Sequence, residues 1–248
     1  MRSIFIFAII ITTSVFANAQ SLRALDLFNK GVEAAKEGDN KTAFERFTAT
    51  QAAMERDGAT DRFFATVHYD LGITLYELRR PGEAAAHLEK ALRYSKQMHP
   101  RAHYVLGLVQ FDLGELEEAE KAFRRSIALS QNDAEAWYDL AFVHLAAGDN
   151  EKAKRAFAKA AKLGASGAAA SLNNVGVLLA REGRFADAAL EFEKASGTDR
   201  TGIALTNLEK CRRLMDYSSI AGAAAELRFV PRGGSNGYEQ TARHTRYN

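Results

Sequence analysis

DAEAWYDLAFVHLAAGDNEKAKRAFAKAAKLG, residues Asp133 to Gly164, decides the fold. Apolar residues recur at helical spacing on either side of a Gly148-Asp149-Asn150 turn, so the stretch reads as two helices folded back on each other. The same arrangement returns along the chain. Gly38, Gly114, Gly148 and Gly183 mark four turns, the last three spaced 34 and 35 residues apart. Between Gly38 and Gly114 there is room for one more copy that lacks its glycine. It runs from Tyr69 to Leu92 and turns through Arg79-Arg80-Pro81-Gly82. A fixed period of this length is the signature of stacked helical hairpins.

Numbering each copy from the start of its first helix, helix A, the copies begin at Ala24, Ala65, Pro100, Ala134 and Ala169. Position eight then carries Gly31, Gly72, Gly107, Ala141 and Gly176, and position twenty carries Ala43, Ala84, Ala119, Ala153 and Ala188. Small side chains where two helices cross let their axes approach closely. Position twenty-four carries Phe47, Leu88, Phe123, Phe157 and Phe192, a large apolar knob for the space between hairpins. Position twenty-seven is small again: Thr50, Ala91, Ser126, Ala160 and Ala195. Position seven is apolar in Leu71, Leu106, Leu140 and Val175, and only the outermost copy departs, with Lys30. One such hairpin exposes an apolar face that only the next hairpin covers, so several are needed for stability.

This pattern resembles the tetratricopeptide repeat, W-x2-L-G-x2-Y followed by A, F and A over 34 residues. Trp137, Leu140, Ala141, Ala153, Phe157 and Ala160 carry the resemblance most fully, and it extends over residues 24 to about 202. The final proline of the motif is absent from every copy. The resemblance implies an all-α, right-handed superhelical α-solenoid of about five hairpins. Their expected bounds are 24–57, 65–98, 100–133, 134–167 and 169–202, within a solenoid spanning residues 20–217. The step from the first to the second copy is longer than the others. The excess falls near Gly58-Ala59-Thr60-Asp61, where longer helices are expected, one ending and the next capped there. Ile203 to about residue 216 reads as a further helix with Ala204, Leu208, Cys211 and Met215 on one face, a closing helix for the end of the array.

The two ends are different material. Arg2 precedes an apolar run, Ile4 to Phe16, and Ala17-Asn18-Ala19 fits a small-x-small cleavage site. Residues 1–19 are therefore expected to be a signal peptide cut after Ala19, leaving an exported, periplasmic or secreted chain with no membrane span; an uncleaved anchor is the rival. The apolar run is shorter than the ~20 residues a spanning helix needs. A lone thiol, Cys211, suits an oxidising compartment. Residues 218–248, rich in Gly and Arg, are expected to form a disordered tail. Within it, Glu226 to Val230 alternates and has the pattern of a short strand that adds to something else.

Composition narrows the functional classes. The chain is 47% hydrophobic and 26% charged, with a formal net charge of +2, a balance that gives no reason to expect nucleic acid. One cysteine excludes an internal disulfide and any cysteine-based zinc site. His99 and His103 stand at metal-ligand spacing, but His68 and His103 share position four, which packs inward. No metal, cofactor or catalytic constellation is assigned, and the chain is not expected to be an enzyme.

In the family, helix A lines the concave groove, which makes its outward positions the candidate site. Position five reads Phe28, Tyr69, Tyr104, Tyr138 and Asn173, four aromatics and then an amide, with Asn174 beside it. Aromatics there serve either ligand contact or helix packing. Asp70, Asp139 and Arg101 belong to the charges of the same wall, where acids outnumber bases. Some chaperone-binding relatives grip a carboxylate with basic and amide residues at positions where this chain has Phe28, Val32, Asp70, Arg101 and Val105; only Arg101 suits that use. The expected function is an adaptor or scaffold that holds a peptide or helix of a protein partner in the groove. A self-associating structural envelope protein and a glycan or small-ligand binder are the alternatives, and homo-oligomerisation stays open.

Overall fold

The computed structural model describes residues 22–57, 60–164, 167–216 and 227–230. The expected signal peptide, residues 58 and 59 and most of the expected tail lie outside the described residues. Eleven helices and no strand occur among the described residues: α1 (residues 22–37), α2 (Asn40–Asp57), α3 (Asp61–Glu77), α4 (Pro81–Tyr94), α5 (Pro100–Asp112), α6 (Leu116–Leu129), α7 (Ala134–Ala146), α8 (Asn150–Leu163), α9 (Ala168–Arg181), α10 (Phe185–Ser196) and α11 (Ile203–Asp216). None is long and apolar enough to cross a membrane. They fall into two units, the first ending at Leu113 and the second beginning at Gly114.

The turns form for local reasons. Gly38, Gly114, Gly148 and Gly183 all hold φ between 78° and 82°, the left-handed region that ends a helix without a Cβ clash. In the second copy Arg79 takes that conformation, at φ 61°, and stands at the same register position. Each following helix needs acceptors for its first N–H groups. Asp149 accepts from Lys152 N at 2.9 Å, Asp133 from Ala136 N at 3.0 Å and Asp39 from Thr42 N at 3.0 Å. The long step between the first two copies is resolved as expected: α2 and α3 run to 18 and 17 residues, and Thr60 caps α3.

In the first unit α2, α3, α4 and α5 pack in sequence order. An ideal Cβ on Gly31 would lie 2.7 Å from the Phe47 ring, and one on Gly72 would lie 2.6 Å from Leu88 Cγ. The absence of a side chain is thus what lets the helices of a hairpin close on the large residue. In the second unit consecutive helices from α6 to α11 pack on one another, apart from the wider α9–α11 contact that skips α10. Gly176 faces Phe192 in the same way, at 2.7 Å. Positions twenty and twenty-four are fully buried in all five copies. Each closely packed Phe or Leu knob contributes ~2 kcal/mol or more through removal of apolar area from water.

Candidate functional site

The five residues predicted for the groove from the first three copies lie in the first unit, each engaged there. The Phe28 ring sits 5.6 Å from Phe47 and 5.5 Å from Phe63. Tyr69 lies against the His99 ring, 4.6 Å between centroids. The Arg101 guanidinium stands 4.7 Å over Tyr104, which is itself buried. Asp70 is buried too, as is Asp139 in the second unit. Both carboxylates, like Tyr104, are thus buried at positions five and six of helix A. The histidines have structural uses. His99 Nδ1 accepts from Ala102 N at 3.1 Å as the cap of α5, and His103 Nε2 lies 3.1 Å from Gln97 O.

The second unit brings Tyr138, Asn173 and Asn174 together, and adds a residue the sequence reading passed over, Asn207. Ile203 starts α11 one full period after Ala169, so Asn207 is position five of a sixth helix A, 34 residues beyond Asn173. Tyr138 stands on α7, the Asn173-Asn174 pair on α9 and Asn207 on α11. The amides are chained: Asn207 Nδ2 donates to Asn173 Oδ1 at 2.8 Å, Asn173 Nδ2 to Asn174 Oδ1 at 3.2 Å, and Asn174 Nδ2 to the Tyr138 hydroxyl at 3.2 Å.

Lying across this chain of amides is the protein's own segment 227–230. The expectation of a disordered tail is corrected for these four residues. Arg228 N donates to Asn207 Oδ1 at 3.0 Å, and Arg228 O accepts from Asn207 Nδ2 at 2.7 Å and Asn173 Nδ2 at 3.0 Å. Two residues on, the pattern repeats. Val230 N donates to Asn174 Oδ1 at 2.7 Å, and Val230 O accepts from Asn174 Nδ2 at 2.9 Å and the Tyr138 hydroxyl at 3.0 Å. Both lone pairs of each carbonyl are therefore used. Alternate residues turning N–H and C=O to one side is the geometry of an extended chain. Asn207 and Asn174 act as the edge of a neighbouring strand, each amide pairing with both backbone groups of one residue, while Asn173 adds a second donor to the Arg228 carbonyl.

Side chains complete the contact. Leu227 is buried and joins the apolar core of the unit, while Phe229 packs against it beneath Arg181, whose guanidinium is 4.6 Å from the ring centroid. Arg228 points to solvent. Tyr138 is held firm by Phe142 and Phe157, each 5.3 Å away edge-on. Burial pushes its phenol well above the usual range, so the hydroxyl is a neutral donor throughout the physiological range. Asn173 and Asn174 are wholly buried and Asn207 is 1% exposed. Buried amides demand partners, and here the partner is a peptide main chain. The signals that point to this site in the sequence are the sixth period, which yields Asn207, and the Glu226–Val230 alternation.

What the fold defines is a helical-hairpin repeat protein whose A helices in the second unit hold its own residues 227–230. The family pattern of the tetratricopeptide repeat matches residues 69–134, and a second tetratricopeptide-repeat pattern matches 122–155. Residues 69–155 are thus tetratricopeptide repeats. No curated protein matches it. Among solved structures, it is similar to YrrB, described as a TPR protein with an unusual peptide-binding site, at 23% identity and a TM-score of 0.61, over 80% of this chain and 97% of that one. It is also similar to MamA of Desulfovibrio magneticus RS-1, at 21% identity and 0.63, over 72% of this chain and 96% of that one. Pseudomonas aeruginosa pilF matches at 16% identity and 0.63, over 93% and 95%. At these identities the likeness is one of fold.

Proposed function

We propose that this chain is a protein-interaction scaffold that holds an extended segment of a partner on the face formed by α7, α9 and α11, gripping it by its main chain. One observation carries the reading: Asn207, Asn173, Asn174 and Tyr138 satisfy every backbone N–H and C=O of Arg228 and Val230. Main-chain hydrogen bonds supply affinity and side-chain pockets supply selectivity, the logic of strand addition transferred to a helical surface. The peptide-binding site named for YrrB supports the same use of this fold. The scaffold works outside the cytoplasm, on the strength of the leader-like residues 1–19; the N-terminus of the mature protein, read by mass spectrometry, tests that part.

The test of the binding reading uses the full chain carrying Leu227→Asp, which undocks its own segment. A fluorescein-labelled peptide with the sequence of residues 224–232 is expected to bind it saturably, and the added pair Asn174→Ala and Asn207→Ala to abolish that binding. Absence of saturable binding up to about 1 mM peptide, the weak end of specific recognition, rules the reading out.

A further inference from the structure

Every contact of residues 227–230 is intramolecular, yet nothing in the face requires the segment to belong to the same chain. The grip is on groups that any extended peptide has. Selection arises only where a side chain meets the wall, and the resident segment shows where those places are. Leu227 fills an apolar recess, Phe229 lies between the core and the Arg181 guanidinium, and the amides of Arg228 and Val230 must each carry a hydrogen. The Arg228 side chain touches neither place and faces water.

We infer that the partner recognised here is an extended segment with an aliphatic residue, any non-proline residue, an aromatic residue and a second non-proline residue in that order, and that it binds by displacing the protein's own copy of this pattern. This rests on the binding reading above and specifies its ligand. The order is directional. The aliphatic end lies towards α11 and the last residue towards α7, so the ligand runs against the order of the helices. The resident segment acts as a competitor tethered by the ten residues 217–226. A covalent connection of this length gives an effective concentration of order millimolar. A partner therefore binds weakly unless its contacts outdo that figure or the resident segment is withdrawn.

Proline scanning separates this pattern from generic peptide binding. The probe is again the labelled peptide of residues 224–232, and the proteins are the full chain, the full chain with Leu227→Asp, and the full chain with Val230→Pro, which removes one resident N–H and leaves the buried Leu227 in place. The parent peptide is expected to bind either undocked variant at least ~10-fold more tightly than it binds the unaltered chain. Proline at the Arg228 or Val230 position of the peptide is expected to weaken binding ~10-fold or more, since each removes a hydrogen bond and leaves a buried amide oxygen unmatched. Alanine for Leu227 acts as strongly, and alanine for Phe229 costs several-fold. Glutamine for Arg228 changes the affinity less than ~3-fold. Equal affinity for all three proteins, or indifference to alanine at both the Leu227 and Phe229 positions, overturns this inference and leaves the binding reading standing, whereas indifference to proline at both positions overturns the main-chain grip as well. Failure of the parent peptide to bind either variant overturns the binding reading itself.

Discussion

Removing the Asn207 carboxamide isolates the main-chain grip, because the side chain makes three bonds and takes part in nothing else that the network describes. In Asn207→Ala the Arg228 N–H loses its acceptor at 3.0 Å, and Asn173 Oδ1 loses its donor at 2.8 Å. The Arg228 carbonyl keeps one of its two donors, Asn173 Nδ2 at 3.0 Å. Two groups left unmatched at ~1–1.5 kcal/mol each give about 2–3 kcal/mol, with a smaller contribution from the carbonyl. Every 1.4 kcal/mol is tenfold in an equilibrium. The population of undocked segment should thus rise by roughly 30- to 140-fold, up to the whole docking free energy.

Hydrogen exchange at the Arg228 and Val230 amides reads that population directly, because an amide bonded to a buried acceptor exchanges only when the segment leaves. The expected result is protection at both amides in the unaltered chain. In Asn207→Ala that protection should fall by at least an order of magnitude at both together, with the helical circular dichroism and its melting midpoint little changed. Val230 keeps its own bonds to Asn174, so its loss of protection measures release of the segment as a unit. If Arg228 and Val230 exchange alike in the two proteins, the amide chain does not hold the segment and the reasoning for a main-chain grip fails.

Three further changes test the scaffold. Arg79→Gly relieves an L-residue held at φ 61° in a turn where the other four copies use glycine, and is expected to raise stability by ~0.5–1 kcal/mol in urea unfolding; any loss would show that the Arg side chain secures the turn. Gly72→Ala drives a Cβ to 2.6 Å from buried Leu88 Cγ and 3.3 Å from the Ala84 carbonyl, and overpacking should exceed the ~1 kcal/mol gained in helix propensity, for a net loss of ~1–2 kcal/mol. Acid should weaken the first unit. His68, 3.0 Å from His87 between their Nδ1 atoms and stacked on Tyr94, is pushed down to about 4 by burial first and by the His87 charge second. The unfolded chain takes that proton near the ordinary value of 6.5 and the folded chain only near 4, so this stability is complete above about pH 6.5 and is lost as the pH falls towards 4, on the order of 2–3 kcal/mol. His68→Phe keeps the stacking and should flatten the dependence of the unfolding midpoint on pH between 6.5 and 4.5; an unchanged slope would place the sensitivity elsewhere.

The fold was legible because it is written redundantly. Any one hairpin is a weak signal, but Ala43, Ala84, Ala119, Ala153 and Ala188 recur in one register with the knobs Phe47 to Phe192, and all are buried. Helix ends were legible for the same reason, since glycine at positive φ and Asp at the N-cap are local requirements that a sequence states directly. Arg79 shows how far the redundancy reaches. The register places a turn there although the residue disfavours it, and the stacking of neighbouring hairpins overrides the local preference.

The site was legible only in part, because it depends on two stretches that a periodic reading treats as leftovers. Tyr138, Asn173 and Asn174 fall on outward positions of helix A and could be named without coordinates. Asn207 occupies the same position one period later, in a helix that reads as a mere cap because no second helix follows it. The ligand-like segment was harder still. Leu227 to Val230 sits in a tail whose glycines and arginines signal disorder, and among the described residues it forms no hydrogen-bonded ladder with any strand. Their order comes from side-chain amides on helices far away in sequence, 55 residues from Asn173 to Arg228 and 92 from Tyr138 to Val230. A backbone grip leaves no compositional mark on the segment gripped. It does mark the wall, where position five changes from an aromatic to asparagine in the last two helices, trading flat contact for a donor and an acceptor on one side chain. That exchange turns a packing position into one that pairs with a main chain, and the first unit, which keeps Phe28, Tyr69 and Tyr104 there, has not made it.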